Sequence, residues 1–289
     1  MPVGDGGRRK EGSQAMATGR FEVAPAQGAA LRDDGVVPLR GLLDARWLAE
    51  CESAWRWSLD HPGPLASPLL GTDDARQDLC NPAAPARYRA LLEGSPIADA
   101  VAALWDAPDV WFMYEQVFHK TRGLSGRTPW HQDSPYLAVG GDHLAVVWIP
   151  FEPLPRALSL EFVRGSHRGP LYDGSRFDPD DPTAPLYGQG ALPRLPDIEA
   201  ERERWDIVAW AVEPGDVIVF HPATLHGGAP TDARHRERRT LSLRFFGERA
   251  HYEGRPGPAG PAVRGLHDRL REGDPFRADC FPKLRGAAA

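Results

Sequence analysis

Beyond Val110 the chain is written in short apolar runs: VWFMYEQVFHK (110–120), LAVVWIP (144–150), SLEFV (159–163), DVIVF (216–220) and TLSLRFF (240–246), separated by turns rich in glycine and proline. Runs of this length and composition form strands. Strands with an apolar side must bury it against a second sheet or by closing on themselves, so this half predicts a β-sandwich or barrel. The preceding residues read as helix. Asp44 caps a segment in which Trp47, Leu48, Cys51 and Trp55 recur on one face. Ser95 followed by Pro96 opens a second helix, whose stripe is Ile97, Val101 and Leu104. The fold class expected is therefore mainly β with flanking α-helices that buttress the strands.

With 289 residues, 42% hydrophobic content and nine Trp, the chain can bury one large core, and a single domain over residues 21–289 is expected. Residues 1–20 are Gly-rich, charged and poor in large apolar side chains, which predicts a disordered tail. The Pro- and Asp-rich stretch between residues 170 and 204 is too long for a simple connection and reads as a lid. A net charge of −6 and a pI near 5.9 argue against nucleic acid as a partner. Cys51, Cys80 and Cys280 are odd in number and widely spaced, so neither a disulfide framework nor a zinc site is encoded. No apolar run suits a membrane span, and the first twenty residues lack the apolar core of a secretory signal. The expected location is cytoplasmic, with no membrane contact and no protein partner indicated.

The residues that carry chemistry lie in the strand-rich half. In an extended strand, residues i and i+2 point the same way, so His131 and Asp133 of His131-Gln132-Asp133 would share a face, with Gln132 turned from it. A distant strand can add His226. Two imidazoles and one carboxylate hold iron(II) while leaving positions open for a cosubstrate and O2. Alone, a His-x-Asp tripeptide is more often a surface or hydrogen-bonded pair than a ligand set. Its surroundings decide the matter.

Those surroundings are Trp130-His131-Gln132-Asp133, Gly165-Ser166-His167, Gly215-Asp216 running through Phe220-His221 to His226-Gly227, and Arg238-Arg239-Thr240. In this order, over roughly Leu31 to Phe246, the sequence resembles the phytanoyl-CoA dioxygenase family of iron(II)/2-oxoglutarate-dependent oxygenases. The resemblance implies a double-stranded β-helix, a jelly-roll or cupin-like core of two facing sheets. It implies iron held by His131, Asp133 and His226, and 2-oxoglutarate bound to that iron with its far carboxylate on an arginine. The resemblance points to Arg238 as that arginine, and alternation along the last strand supports it, because Arg238, Thr240, Ser242 and Arg244 share a polar face while Leu241, Leu243 and Phe245 form an apolar one suited to packing on helices. A guanidinium matches a carboxylate as lysine cannot. Arg239 falls on the wrong side. Gln116 and Trp148 correspond to positions that contact 2-oxoglutarate in relatives, and Thr240 joins this cosubstrate set. Arg244, Gln132 and Tyr136 are candidates for contact with substrate.

Two departures accompany the match. Arg238 stands one residue farther from His226 than in relatives, and Arg156-Ala157-Leu158-Ser159 replaces the family's usual turn before the Leu-Glu-Phe strand. His167 and His221 read as structural rather than as ligands. The activity implied is oxidative decarboxylation of 2-oxoglutarate to succinate and CO2, coupled to hydroxylation or a related oxidation of an unactivated C–H bond. The second substrate is expected to be a small metabolite or natural-product-like molecule, since no Lys/Arg cluster suggests a CoA diphosphate. The alternatives are an acyl-CoA hydroxylase and a non-catalytic barrel of the same fold that binds a small molecule or metal.

Overall fold

The computed structural model describes residues 21–286 apart from 70, 71, 122–125, 189, 233, 235, 236, 264 and 278, with backbone only at 72–74. The tail expected over residues 1–20 lies outside the described residues. In chain order the α-helices among the described residues are α1 (Pro25–Asp34), α2 (Ala45–Asp60), α3 (Ala84–Arg87), α4 (Arg89–Gly94), α5 (Ile97–Trp105) and α6 (Leu266–Arg269). The strands are β1 (Val36–Leu39), β2 (Ser67–Leu69), β3 (Thr72–Leu79), β4 (Val110–Lys120), β5 (Thr128–His131), β6 (Val139–Gly140), β7 (Leu144–Pro150), β8 (Leu160–Val163), β9 (Ile207–Ala209), β10 (Val217–Phe220), β11 (His226–Gly228), β12 (Arg238–Phe246), β13 (His251–Tyr252) and β14 (Lys283–Arg285).

An eight-stranded sheet runs β1-β10-β7-β12-β4-β3-β2, with β14 added beside β4, and a four-stranded sheet runs β5-β11-β8-β9. The two are the facing sheets of the double-stranded β-helix. Val146, Trp148, Ile218 and Phe220 of the larger sheet pack with Leu160 and Phe162 of the smaller one. On the other face of the larger sheet, Val147, Val219, Leu241, Leu243 and Phe245 pack against Cys51, Trp55, Leu91, Ile97 and Val101 from the helices. Both faces of β7 are thus covered, and that is why LAVVWIP is buried throughout instead of alternating with polar residues.

The helix caps divide. Asp44 accepts a hydrogen bond from the Trp47 amide at 2.9 Å, and Cys51 and Trp55 are buried as the spacing predicts. Ser95 does not cap α5: Pro96 takes the cap position in helical backbone, and the Ser95 hydroxyl is buried without a partner. The expectation of helices first and strands only from Val110 also needs correction, because β1, β2 and β3 precede that point. Their sequences hide them. VVPL places a proline in an edge strand, where its missing N–H costs no ladder bond, and TDDARQDL carries no apolar alternation, being held by its neighbours β2 and β4.

The 170–204 connection contains little regular structure but is anchored. Asp173 accepts hydrogen bonds from the amides of Tyr187 (2.7 Å) and Gly188 (3.0 Å), while Leu195 and Ile198 pack with Trp130 and Val163 of the smaller sheet. No helix among the described residues is long and apolar enough to cross a membrane.

Candidate active site

Antiparallel pairing of β5 with β11 puts His131 directly opposite His226, and their rings lie 4.2 Å apart between centroids. Each imidazole uses Nδ1 on a carbonyl two residues earlier, Pro129 at 2.8 Å and Thr224 at 2.9 Å. A carbonyl only accepts, so Nδ1 carries the proton and the Nε2 lone pair is turned inward. Asp133 arrives differently from the sequence expectation. It is not in extended backbone: φ −77° and ψ −30° place it at the head of a tight turn over Ser134–Tyr136, its amide bonded to the Pro222 carbonyl at 2.7 Å. A turn, not strand alternation, aims the carboxylate. Asp133 Oδ1 lies 3.6 Å from His131 Nε2 and 3.9 Å from His226 Nε2, and the ligand atoms of all three lie within 4.8 Å of one another. One ion can bridge them.

Electrostatics favour the charge states a metal needs. Burial pushes the Asp133 carboxyl up, but the Arg244 guanidinium and both imidazoles outweigh it and hold it at about 2. Burial likewise drives His226 down to about 3 and lowers His131. An anionic carboxylate faces two neutral imidazoles.

The three residues line a cavity of about 450 Å³ between the sheets. Its far side is the polar face of β12, where Arg238, Thr240, Ser242 and Arg244 all reach it, together with Gln116 and Lys120 of β4 and Trp148 of β7. Arg238 is 2% exposed, and its Nη2 donates to the Pro230 carbonyl at 2.9 Å. Its Nε and Nη1 are buried without a partner. Lys120 stands opposite Arg238 in the β12–β4 register, donating to the Ala229 carbonyl at 3.0 Å. Burial, then the neighbouring guanidinium, lowers Lys120 to about 7, and burial lowers Arg238 to about 10. A buried guanidinium with two unused donors, beside a second basic group, fits a carboxylate ligand. Lys120 was missed in the sequence reading, although its parity with Gln116 on β4 was available to find it.

The remaining candidates sort by geometry. Arg239 lies on the opposite face, paired with Glu52 and Glu152. Arg244, 5% exposed, donates through Nη2 to Asp133 Oδ2 at 2.8 Å and to Gln116 Oε1 at 2.7 Å. Gln116 faces the cavity with both ends of its amide engaged, since its Nε2 donates to Gln77 at 3.1 Å. Gln132 is corrected: its amide donates to the carbonyls of Pro170 (3.1 Å) and Ala223 (2.8 Å) and accepts from the Tyr172 amide (2.9 Å). It braces the loops behind the ligands and is absent from the cavity lining. Tyr136 does line the cavity, its hydroxyl bridging the Ser175 backbone and its ring stacked on Phe177 at 6.1 Å. Phe177, from the 170–204 connection, meets the His131 ring at 5.0 Å. His167 bonds the Arg32 carbonyl and His221 the Gly141 carbonyl, away from the three ligands. A larger hollow of about 590 Å³, on the side of Gln132 and His221, includes none of the three and is not where the chemistry is.

The profile described as phytanoyl-CoA dioxygenase (PhyH) matches residues 31–239. The chain belongs to this family. Family members are non-haem iron, 2-oxoglutarate-dependent enzymes, and His131, Asp133 and His226 fit the iron triad. Among solved structures, the epimerase SnoN in complex with Fe3+, alpha ketoglutarate and nogalamycin RO is similar at TM-score 0.67 and 23% identity, over 90% of this chain and 98% of that one. The carbocyclase SnoK from nogalamycin biosynthesis follows at TM-score 0.66 and 18% identity, over 91% of this chain and 96% of that one. EctD from S. alaskensis with bound Fe has TM-score 0.59 and 18% identity, over 91% of each chain. Identities this low speak to the fold alone. No curated protein matches the sequence significantly.

Proposed function

We propose that this member of the phytanoyl-CoA dioxygenase family oxidises an unactivated C–H bond of a small, natural-product-like molecule, with hydroxylation as the outcome. In that reaction 2-oxoglutarate, O2 and R–H give succinate, CO2 and R–OH. Iron, when bound, supplies the activation of O2 and the oxidising power. The observation that carries the reading is the pairing, in one cavity, of the three ligand residues with an arginine whose Nε and Nη1 are buried and unpartnered. A dicarboxylate spanning from iron to Arg238 answers both halves.

The residues' tasks follow from their chemistry. His131, Asp133 and His226 hold the metal and leave its other side open. Arg238 receives the far carboxylate, with Lys120 adding charge beside it and Thr240 and Trp148 walling the path. Tyr136 and Phe177 close over His131 and keep water from the reacting carbon. SnoN in complex with nogalamycin RO and SnoK from nogalamycin biosynthesis support a natural-product scaffold over a primary metabolite.

The test is succinate formation by the purified protein given iron(II), 2-oxoglutarate and O2, with Asp133→Ala as the comparison. Slow succinate release without substrate, accelerated by the right compound in a panel of polyketide and related scaffolds, is expected. No succinate above the Asp133→Ala level would leave the non-catalytic barrel as the better description.

A further inference from the structure

Arg244 performs a task that its place on the polar face of β12 does not by itself explain. It is buried beside the metal ligands, with its guanidinium carbon 4.7 Å from the centre of the Tyr114 ring. A buried cation is costly, and this one is paired with the Asp133 carboxylate, whose ionised form it favours. Charge alone would not need one particular oxygen, and the geometry singles one out. Of the two Asp133 oxygens, Oδ1 is the one near both imidazole Nε2 atoms, and Oδ2 is taken by Arg244 Nη2 at 2.8 Å.

We propose that Arg244 is a positioning residue that keeps Asp133 a one-oxygen ligand. With Oδ2 held, the carboxylate has a single oxygen to give. Were Oδ2 free, it could swing onto the metal and occupy a position that the cosubstrate or O2 requires. The clasp is itself braced. The same Nη2 donates to Gln116 Oε1, Gln116 Nε2 donates to Gln77 Oε1, and Gln77 Nε2 reaches Ser67 Oγ at 3.3 Å. A line of side chains therefore runs from the iron ligand across β12, β4 and β3 to β2, the far edge of the sheet and part of the cavity wall. Gln116, expected from the sequence to touch 2-oxoglutarate, belongs to this brace.

The inference rests on the iron and 2-oxoglutarate reading, and the experiment separates the two. Anaerobic titration of the wild-type protein with iron(II), and then with 2-oxoglutarate followed by the visible charge-transfer band of their complex, tests that reading itself. The same titrations on Arg244→Met test the clasp. If Arg244 acted through charge alone, by keeping Asp133 ionised, Arg244→Lys would replace it fully and Gln116→Leu, which leaves every charge in place, would alter neither titration. As a positioning residue Arg244 is needed for its geometry: Arg244→Met weakens iron binding, by about 10- to 100-fold as for other partners of metal ligands, and shifts the charge-transfer band. Arg244→Lys, which keeps a donor for Oδ2, recovers only part of the loss. Gln116→Leu, which removes only the brace, gives a smaller shift in the same direction and serves if Arg244→Met fails to fold by circular dichroism. Arg239→Gln, on the opposite face of the strand, leaves both titrations unchanged. Tighter or unaltered iron binding with an unaltered band in Arg244→Met, or no change in either titration in Gln116→Leu, overturns the proposal.

Discussion

Asp133 is held ionised against its own burial chiefly by Arg244, and each of the two histidines is fixed by a backbone carbonyl, so the loss of any one ligand leaves the other two in place. Alanine at His131, Asp133 or His226 is therefore expected to abolish iron-dependent succinate formation while leaving the circular dichroism spectrum intact. Full activity of Asp133→Ala would refute the ligand set. Arg238 and Arg239 are adjacent in sequence but serve opposite faces of β12. Arg238→Ala should weaken 2-oxoglutarate binding by about 2–5 kcal/mol, the cost of unpairing a buried carboxylate. Arg239→Ala should leave the 2-oxoglutarate KM close to the wild-type value, and steady-state titration of both distinguishes them. Lys120 gives a pH signature. Burial holds it at about 7 in the folded chain against 10.5 ordinarily, so between these values the unfolded chain binds a proton that the folded one does not. Stability must rise with pH across that window, and urea midpoints of wild type against Lys120→Met should diverge in that sense. A parallel pair of pH profiles would show that Lys120 remains charged when folded.

Strands β4 and β7 were legible to the residue because their apolar character comes from being covered on both sides. The β2–β3 hairpin was not, since its residues are chosen for the cavity and the sheet edge, and polar residues at an edge look like loop. The ligands were legible as residue types, but the reason Asp133 faces His131 was not. That depends on a turn held by the Pro222 carbonyl, a contact between segments far apart in sequence. The Arg244 clasp was hidden for the same reason, whereas Lys120 shares its side of β4 with Gln116 and only its pairing with Arg238 needed the register of β4 on β12. The 170–204 connection makes its own prediction. Its Phe177 and Arg176 reach the cavity, and its body is tied together through Asp173. Removing residues 178–193, or substituting Asp173→Ala to free the Tyr187 and Gly188 amides, should raise succinate formed per product as water gains access. An unchanged ratio in both variants would mean that the segment does not guard the site.

At the scale of the whole molecule, support and chemistry are stacked in layers: helices, then the larger sheet, then the cavity, then the smaller sheet. Truncating the support should cost stability without touching the site. Leu243, fully buried against the helices, is the cleanest case, and Leu243→Ala is expected to lose about 2–5 kcal/mol in urea unfolding. Its iron affinity should stay at the wild-type value, and a matching fall in affinity would show that the layers are mechanically coupled. Strand β12 belongs to two layers at once, with guanidinium and hydroxyl groups on one side and leucine and phenylalanine on the other. An insertion of one residue within it would turn the arginines into oil and the leucines toward the metal. Such a strand can tolerate almost no drift. Novelty in what the protein accepts must come from borders that touch the cavity without building the barrel, namely the β2–β3 hairpin and the 170–204 stretch. A directed-evolution library aimed at a new compound would randomise those two stretches and leave the nine residues of β12 alone.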